Sequence, residues 1–149
     1  INPTAQFFFT VSPVRHLKDG FVQNQRSKSH LITALHAALS VPALRARGLY
    51  FPSYEIMMDE LRDYRFYGED MLHPNTVAIN YIWEKFREVC IEKAVFEVME
   101  RVNAIQTGLN HRAFNPTCEA HQKFIKSLQA KIADIQQGYP FMNFNTPEL

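Results

Sequence analysis

The apolar positions of this chain fall into two short continuous runs near its start, followed by long stripes at helical spacing. Residues 6–12, Gln-Phe-Phe-Phe-Thr-Val-Ser, form an unbroken run that Pro13 stops. Its length and its aromatic and β-branched content predict a strand buried on both faces, as in a parallel sheet. From Asn24 to Leu39 the residues Leu31, Ile32, Leu35, Ala38 and Leu39 recur at helical spacing. They predict a helix that Pro42 ends or restarts. Leu49, Tyr50 and Phe51 predict a second short strand, stopped by Pro52. Ser53 stands where an N-cap stands for a helix striped by Ile56, Met57, Met58 and Leu61. Residues 64–67 beside it alternate like an extended segment.

Asn75 or Thr76 caps a long helical pattern running through Val77, Tyr81, Ile82, Phe86 and Val89 to Val102, with a bend expected around Ile91 to Phe96. Gly108 and Asn110 end it. Pro116 and Thr117 open a last helix to about Gln137, with Phe124, Ile125, Leu128, Ile132 and Ile135 as its stripe. Trp83, Phe86 and Phe96 read as core residues of these helices. The order strand, helix, strand, helices is that of the end of an α/β domain followed by a helical appendage. Two strands do not make a sheet that covers itself. With an opening Ile-Asn-Pro-Thr that runs at once into a strand, this predicts the carboxy-terminal part of a longer protein.

Composition narrows the function classes. Apolar residues make 46% of the 149 positions and aromatics 13%, enough for a core and too much for disorder. A net charge of +1 with no basic block argues against general nucleic-acid binding. No apolar run approaches the ~18 residues that span a bilayer. Cys90 and Cys118 form no Cys-x-x-Cys pair and are too few for a disulfide scaffold.

The most informative local pattern is Asp70-x-x-His73-Pro74, between a strand-like segment and a helix. An imidazole acting as a base needs one nitrogen toward the nucleophile and the other held as a donor to a carboxylate. An Asp three residues earlier on an irregular loop can supply that contact; the bland alternative is a turn-capping Asp beside an ordinary surface His. Arg15 and His16 follow the first strand and face the same rim of a parallel sheet. They read either as substrate-binding donors or as rim residues, with Arg15 paired to an acid such as Asp19. The charges at Asp59, Glu60, Arg62, Asp63 and Arg65 alternate closely and favour an ion-paired network over an acid/base site. Cys118-x-x-His121 with His111 lacks the further ligands that zinc requires, so no metal is expected. Neither Ser12 nor Ser53 lies in a nucleophile elbow, and both read as turn residues.

Several of these segments together resemble the carboxy-terminal half of a GSCFA-family protein, a branch similar to the SGNH (GDSL-like) hydrolases. The residues that carry the resemblance are Phe7 to His16, Asp19-Gly20, Asn24 with Ser27-Lys28-Ser29, Tyr50 to Glu55, Asp59 to Tyr67 and Asp70 to Pro74. The resemblance implies the later half of a three-layer α/β/α fold with few parallel strands, and a carboxy-terminal helical extension. It assigns residues 1–107 to the hydrolase-like domain and 108–149 to the extension and tail. It also implies that Asp70 and His73 are two members of a Ser-His-Asp triad. The serine would belong to a Gly-Ser-Cys-Phe-Ala segment, and no Gly-Ser-Cys occurs here.

The expected function is therefore that of an SGNH-like esterase acting on acyl or O-acetyl groups, with its nucleophile outside these residues. No cofactor is implied. The expected partners are a small acyl substrate and the upstream part of the same domain, with no nucleic acid and no membrane span. Taken alone, the segment is expected to be inactive and to pair with a second copy through its first strand. The competing expectation is a non-catalytic helical interaction module.

Overall fold

The computed structural model describes residues 2–112, 114–115 and 117–144. The chain is an α/β protein, mostly helical, with a small two-stranded parallel sheet. It divides into two compact units, residues 1–91 and 92–149.

In the first unit, strand β1 (Phe7–Phe9) leads through a loop into α1 (Phe21–Ser40) and α2 (Pro42–Arg45), then returns as β2 (Gly48–Tyr50). The strands pair in parallel, Phe7 opposite Gly48, Phe8 opposite Leu49 and Phe9 opposite Tyr50. Pro42 occupies the first turn of α2, where its missing N–H has no partner to lose. Gly48 is required for the close approach of helix and sheet. A Cβ there would stand 2.6 Å from Cδ2 of Leu39 and 2.9 Å from the carbonyl of Leu44.

Strand β1 is shorter than the sequence pattern predicts and is not buried on both faces, while β2 keeps its predicted length but begins and ends one residue earlier, at Gly48 and Tyr50. Phe7 and Phe8 are 42% and 50% exposed. The physical reason is the two-stranded sheet: β1 has β2 as its single neighbour, so one edge carries no backbone partner among the described residues.

After β2 comes α3 (Ser53–Glu55), continued by a π-helical turn over Ile56–Glu60. Ser53 does not cap it. Its hydroxyl donates to the Val11 carbonyl at 2.9 Å and lies 2.5 Å from the Thr10 hydroxyl, tying α3 to the end of β1. Pro52 holds the cap position. The wide turn drives Met57 to full burial with Ile56, Leu61, Phe51, Tyr67 and Ala78, the core of this unit. Residues 64–66 form a 3-10 turn rather than an extended segment, because the Asp63 carboxylate accepts from the Arg65 N–H. Helix α4 (Thr76–Cys90) is capped by the Asn75 side chain, which accepts from the Ala78 N–H.

The long helical pattern does break where the apolar face widens. A 3-10 turn at Lys93–Val95 leads into α5 (Phe96–Leu109). In the second unit α5 pairs with α6 (Glu119–Gly138). Ile105 packs there with Leu128, Ile132 and Ile135, whose three- and four-residue spacing puts them on one face. Helix α6 starts after Cys118, whose Sγ accepts from the His121 N–H, rather than at Pro116 and Thr117; Pro116 lies outside the described residues. Phe124, predicted for the stripe, is 36% exposed.

Candidate functional site

The loop between the 3-10 turn and α4 is a small closed structure. Tyr67 and Pro74 form an antiparallel bridge, and the Gly68 N–H donates to the His73 carbonyl at 2.8 Å. The Asn75 side-chain amide donates to the Arg65 carbonyl at 2.6 Å, below the loop, while its oxygen caps α4. One residue thus fixes both the loop's end and the helix's start.

Inside the loop, one carboxylate does two tasks. Asp70 Oδ1 accepts the backbone N–H groups of Leu72 (2.9 Å) and His73 (3.0 Å). Asp70 Oδ2 lies 2.6 Å from His73 Nδ1. The backbone N–H of His73, then that of Leu72, then the imidazole pull the Asp70 carboxyl from its ordinary 3.8 down to about 2. It is therefore ionised across ordinary pH. With Nδ1 held on the carboxylate, Nε2 is the remaining ring nitrogen, and it has no hydrogen bond among the described residues. The imidazole side chain is 63% exposed. Met71, between Asp70 and His73, adopts φ 59°. For a non-glycine residue that left-handed conformation costs about 1 kcal/mol or more.

Arg15 comes to this loop from the end of β1. Its N–H donates to the Leu72 carbonyl and its guanidinium to the Met71 carbonyl, both at 3.3 Å. The guanidinium lies 4.4 Å from the Tyr67 ring centre and 5.5 Å from that of Tyr64. Of the two predicted rim residues, the structure brings Arg15 against the loop. The His16 N–H donates instead to the Asn24 side chain at 2.8 Å, and its side chain is exposed.

His73 also lines an open groove of about 670 Å³, whose other walls include Phe8, Phe51, Ile82, Trp83 and Phe86. Trp83 is 47% exposed here, a groove wall rather than the core residue its helical position suggests. Its ring stacks on Phe86, which meets Phe51 edge to face. Two of the groove's polar side chains, Thr10 and Ser53, are engaged with each other.

The serines weighed as nucleophiles are otherwise employed. Ser53 is buried on the Val11 carbonyl, and the Ser12 hydroxyl accepts from the Val14 N–H at 3.2 Å. The charged cluster does not form the expected mutual network. Glu60 accepts from the Tyr81 hydroxyl and pairs with Lys85 at 3.2 Å, and these contacts hold its carboxyl below the usual range. Arg62 donates to the Asp59 carbonyl.

Lys28 and Tyr67 escaped the sequence reading as contact residues. The sequence pattern marks neither: a lysine on a helix reads as solvated, and Tyr67 reads as part of an alternating strand. Among the described residues no helix is long and apolar enough to cross a membrane.

Comparison with known proteins finds two matches. The pattern of the GSCFA family matches residues 1–86, and that of the GSCFA domain protein, C-terminal domain, matches residues 102–147. No curated protein matches the chain. No solved structure matches it either.

Proposed function

The chain belongs to the GSCFA family, and from that premise we propose that it supplies the His-Asp pair of a serine esterase acting on acyl or O-acetyl groups. The observation that carries this reading is the 2.6 Å contact of Asp70 Oδ2 with His73 Nδ1, on a loop that leaves the imidazole's other face open. A carboxylate on Nδ1 fixes the tautomer with Nε2 as proton acceptor and stabilises the imidazolium formed when a serine is deprotonated. Backbone hydrogen bonds keep that carboxylate ionised, so the proton stays on the ring through the cycle.

The groove beside His73 supports the acyl half of the reading. Its aromatic and aliphatic walls offer burial to a hydrocarbon chain. The nucleophile in this proposal is a serine of a Gly-Ser-Cys-Phe-Ala segment, which these 149 residues do not contain. Arg15 acts as a positioning residue for the loop, and the rim beyond it, with His16, is where substrate polar groups approach.

The test is hydrolysis of p-nitrophenyl acetate and butyrate. A polypeptide joining this chain to such a serine segment turns the esters over, and His73→Ala lowers kcat/KM by at least about 100-fold. The 149-residue chain alone stays at the buffer rate. Turnover that survives His73→Ala would overturn the assignment.

A second reading is favoured by one observation, the exposed phenylalanines beside the unpaired edge of β1. Such an edge templates pairing with a second copy, which would make the segment an association module. Light scattering at micromolar concentration decides: a dimer that Phe8→Lys splits supports this reading, and a monomer removes it.

A further inference from the structure

Lys28 lies on α1 and is 7% exposed, the one charged side chain among the buried described residues. Its ammonium donates to the Ser12 carbonyl at 2.6 Å and lies 5.9 Å from the Tyr54 ring centre. No ion pair joins it to a carboxylate among the described residues. An ammonium has three protons to donate, and one carbonyl takes one of them. Buried charges are ordinarily paired, because the loss of hydration is otherwise uncompensated.

Lys28 opens onto a cleft of about 380 Å³ between α1, the Pro13–Arg15 segment and α3. The cleft and the groove that holds His73 share Pro13 and Val14 as wall residues. Its charged lining is two cations, Lys28 and Arg15, and no carboxylate lines it. The side-chain amides on its wall have their oxygens engaged. The Asn24 oxygen accepts from the His16 N–H at 2.8 Å, and the Gln25 oxygen from the Tyr54 hydroxyl at 2.9 Å. What these amides retain is their NH2 donors. The rest of the lining, with Phe21, Met58 and Tyr64, is apolar or aromatic.

Two cations, two amide donors and no anionic group define a site for a ligand with an oxyanion at one end and an apolar body at the other. We propose that this cleft binds a small organic oxyanion, a carboxylate or a phosphate monoester on an aromatic or aliphatic body, with Lys28 as its principal cation. The oxyanion takes the ammonium's remaining protons, and the body lies among Phe21, Tyr54 and Tyr64. Burial lowers the pKa of Lys28, so its charge is disfavoured while the ammonium lacks a counter-ion. A bound oxyanion reverses that effect. Arg15 belongs to both places: it lines the cleft and holds the Met71 and Leu72 carbonyls, so the cleft adjoins the Asp70–His73 loop, while Lys28 and Gln25 touch the cleft alone.

The experiment is an NMR and calorimetric titration of the 149-residue chain with benzoate and with phenyl phosphate, run in parallel so that the preferred oxyanion is read directly. Amide shifts concentrated at residues 24–28 and 53–58 are expected, and Lys28→Met weakens binding at least tenfold, about 1.4 kcal/mol. The second variant is Gln25→Glu. Three residues before Lys28 on the same helix face, it brings a carboxylate that still accepts from Tyr54 and neutralises the ammonium from within. Gln25→Glu is expected to abolish binding while raising thermal stability, and it carries the test should Lys28→Met fail to fold. Absence of binding of both probes at millimolar concentration overturns the proposal. So does binding that Gln25→Glu leaves unchanged, or shifts confined to residues outside the cleft. The readout is binding, so this result and the fate of the esterase reading are separable.

Discussion

Arg15 donates from its guanidinium to the carbonyl of Met71, the described non-glycine residue with a positive φ. The two are 56 residues apart in sequence. The left-handed Met71 turns the chain so that Asp70 can reach both forward N–H groups and the ring of His73. Arg15, its guanidinium over the Tyr67 ring, secures the carbonyl that this turn presents. Removing it should loosen the loop before it unfolds the domain. Arg15→Ala is expected to cost about 1–2 kcal/mol from the lost cation–π and hydrogen-bond contacts. Arg15→Lys recovers less than half of that, because an ammonium cannot stack and fork together. Denaturant melts give the stability, and loss of the Asp70–His73 contact in NMR gives the loop.

Asp70 and His73 are expected to differ sharply as structural residues although the proposed chemistry treats them as a pair. His73→Ala removes an exposed ring and leaves Tm nearly unchanged. Asp70→Ala strands the N–H groups of Leu72 and His73 and lowers Tm. Asp70→Asn, which keeps one oxygen for those donors, falls between them. Equal effects of His73→Ala and Asp70→Ala on Tm would show that the two backbone contacts contribute nothing.

The acid titration follows from the same geometry. The folded carboxyl of Asp70 is depressed from 3.8 to about 2. A depressed acid contributes its stabilisation above the unfolded value and loses it as pH falls through the folded one. The loop is therefore expected to hold at pH 4 and to lose its order between about 3.8 and 2. Carbon-detected NMR of the Asp70 carboxyl reads the midpoint directly; a midpoint at the ordinary value would contradict the hydrogen-bond pattern.

Tyr50 predicts the opposite limb. Its hydroxyl reaches both oxygens of Glu55 at 2.8 Å, and burial first, then that hydrogen bond, raise its pKa well above 10. A raised group contributes fully below its unfolded value and loses its contribution above it, so stability falls as pH rises beyond about 10. Tyr50→Phe is expected to cost about 1–2 kcal/mol at neutral pH and to flatten that alkaline loss. Thermal melts of both proteins between pH 8 and 11 check it.

Gly48→Ala tests the packing of α1 and α2 against the sheet. The added methyl meets Leu39 and the rigid Leu44 carbonyl inside contact distance. Overpacking of this kind costs about 1–3 kcal/mol, measurable as a lowered denaturant midpoint. An unchanged midpoint would mean that β2 shifts freely.

The sequence by itself determined the elements whose signals are local. The period of Ile125, Leu128, Ile132 and Ile135 fixes α6, and Asn75 before Thr76 fixes the start of α4, because helical stripes and caps act within a few residues. The Asp70-x-x-His73 contact was legible for the same reason: three residues of loop bring the groups together. The tertiary structure decided what depends on distant partners. Ser53 abandoned the cap expected of it because the Val11 carbonyl, 42 residues away, stood within reach of its hydroxyl. The π-helical turn at Ile56–Glu60 buries Met57, and a local stripe cannot announce that widening. Trp83 became a groove wall and Lys28 a buried cation for one shared reason. Whether a helical side chain is covered depends on what the rest of the chain places over it, and no local period encodes that.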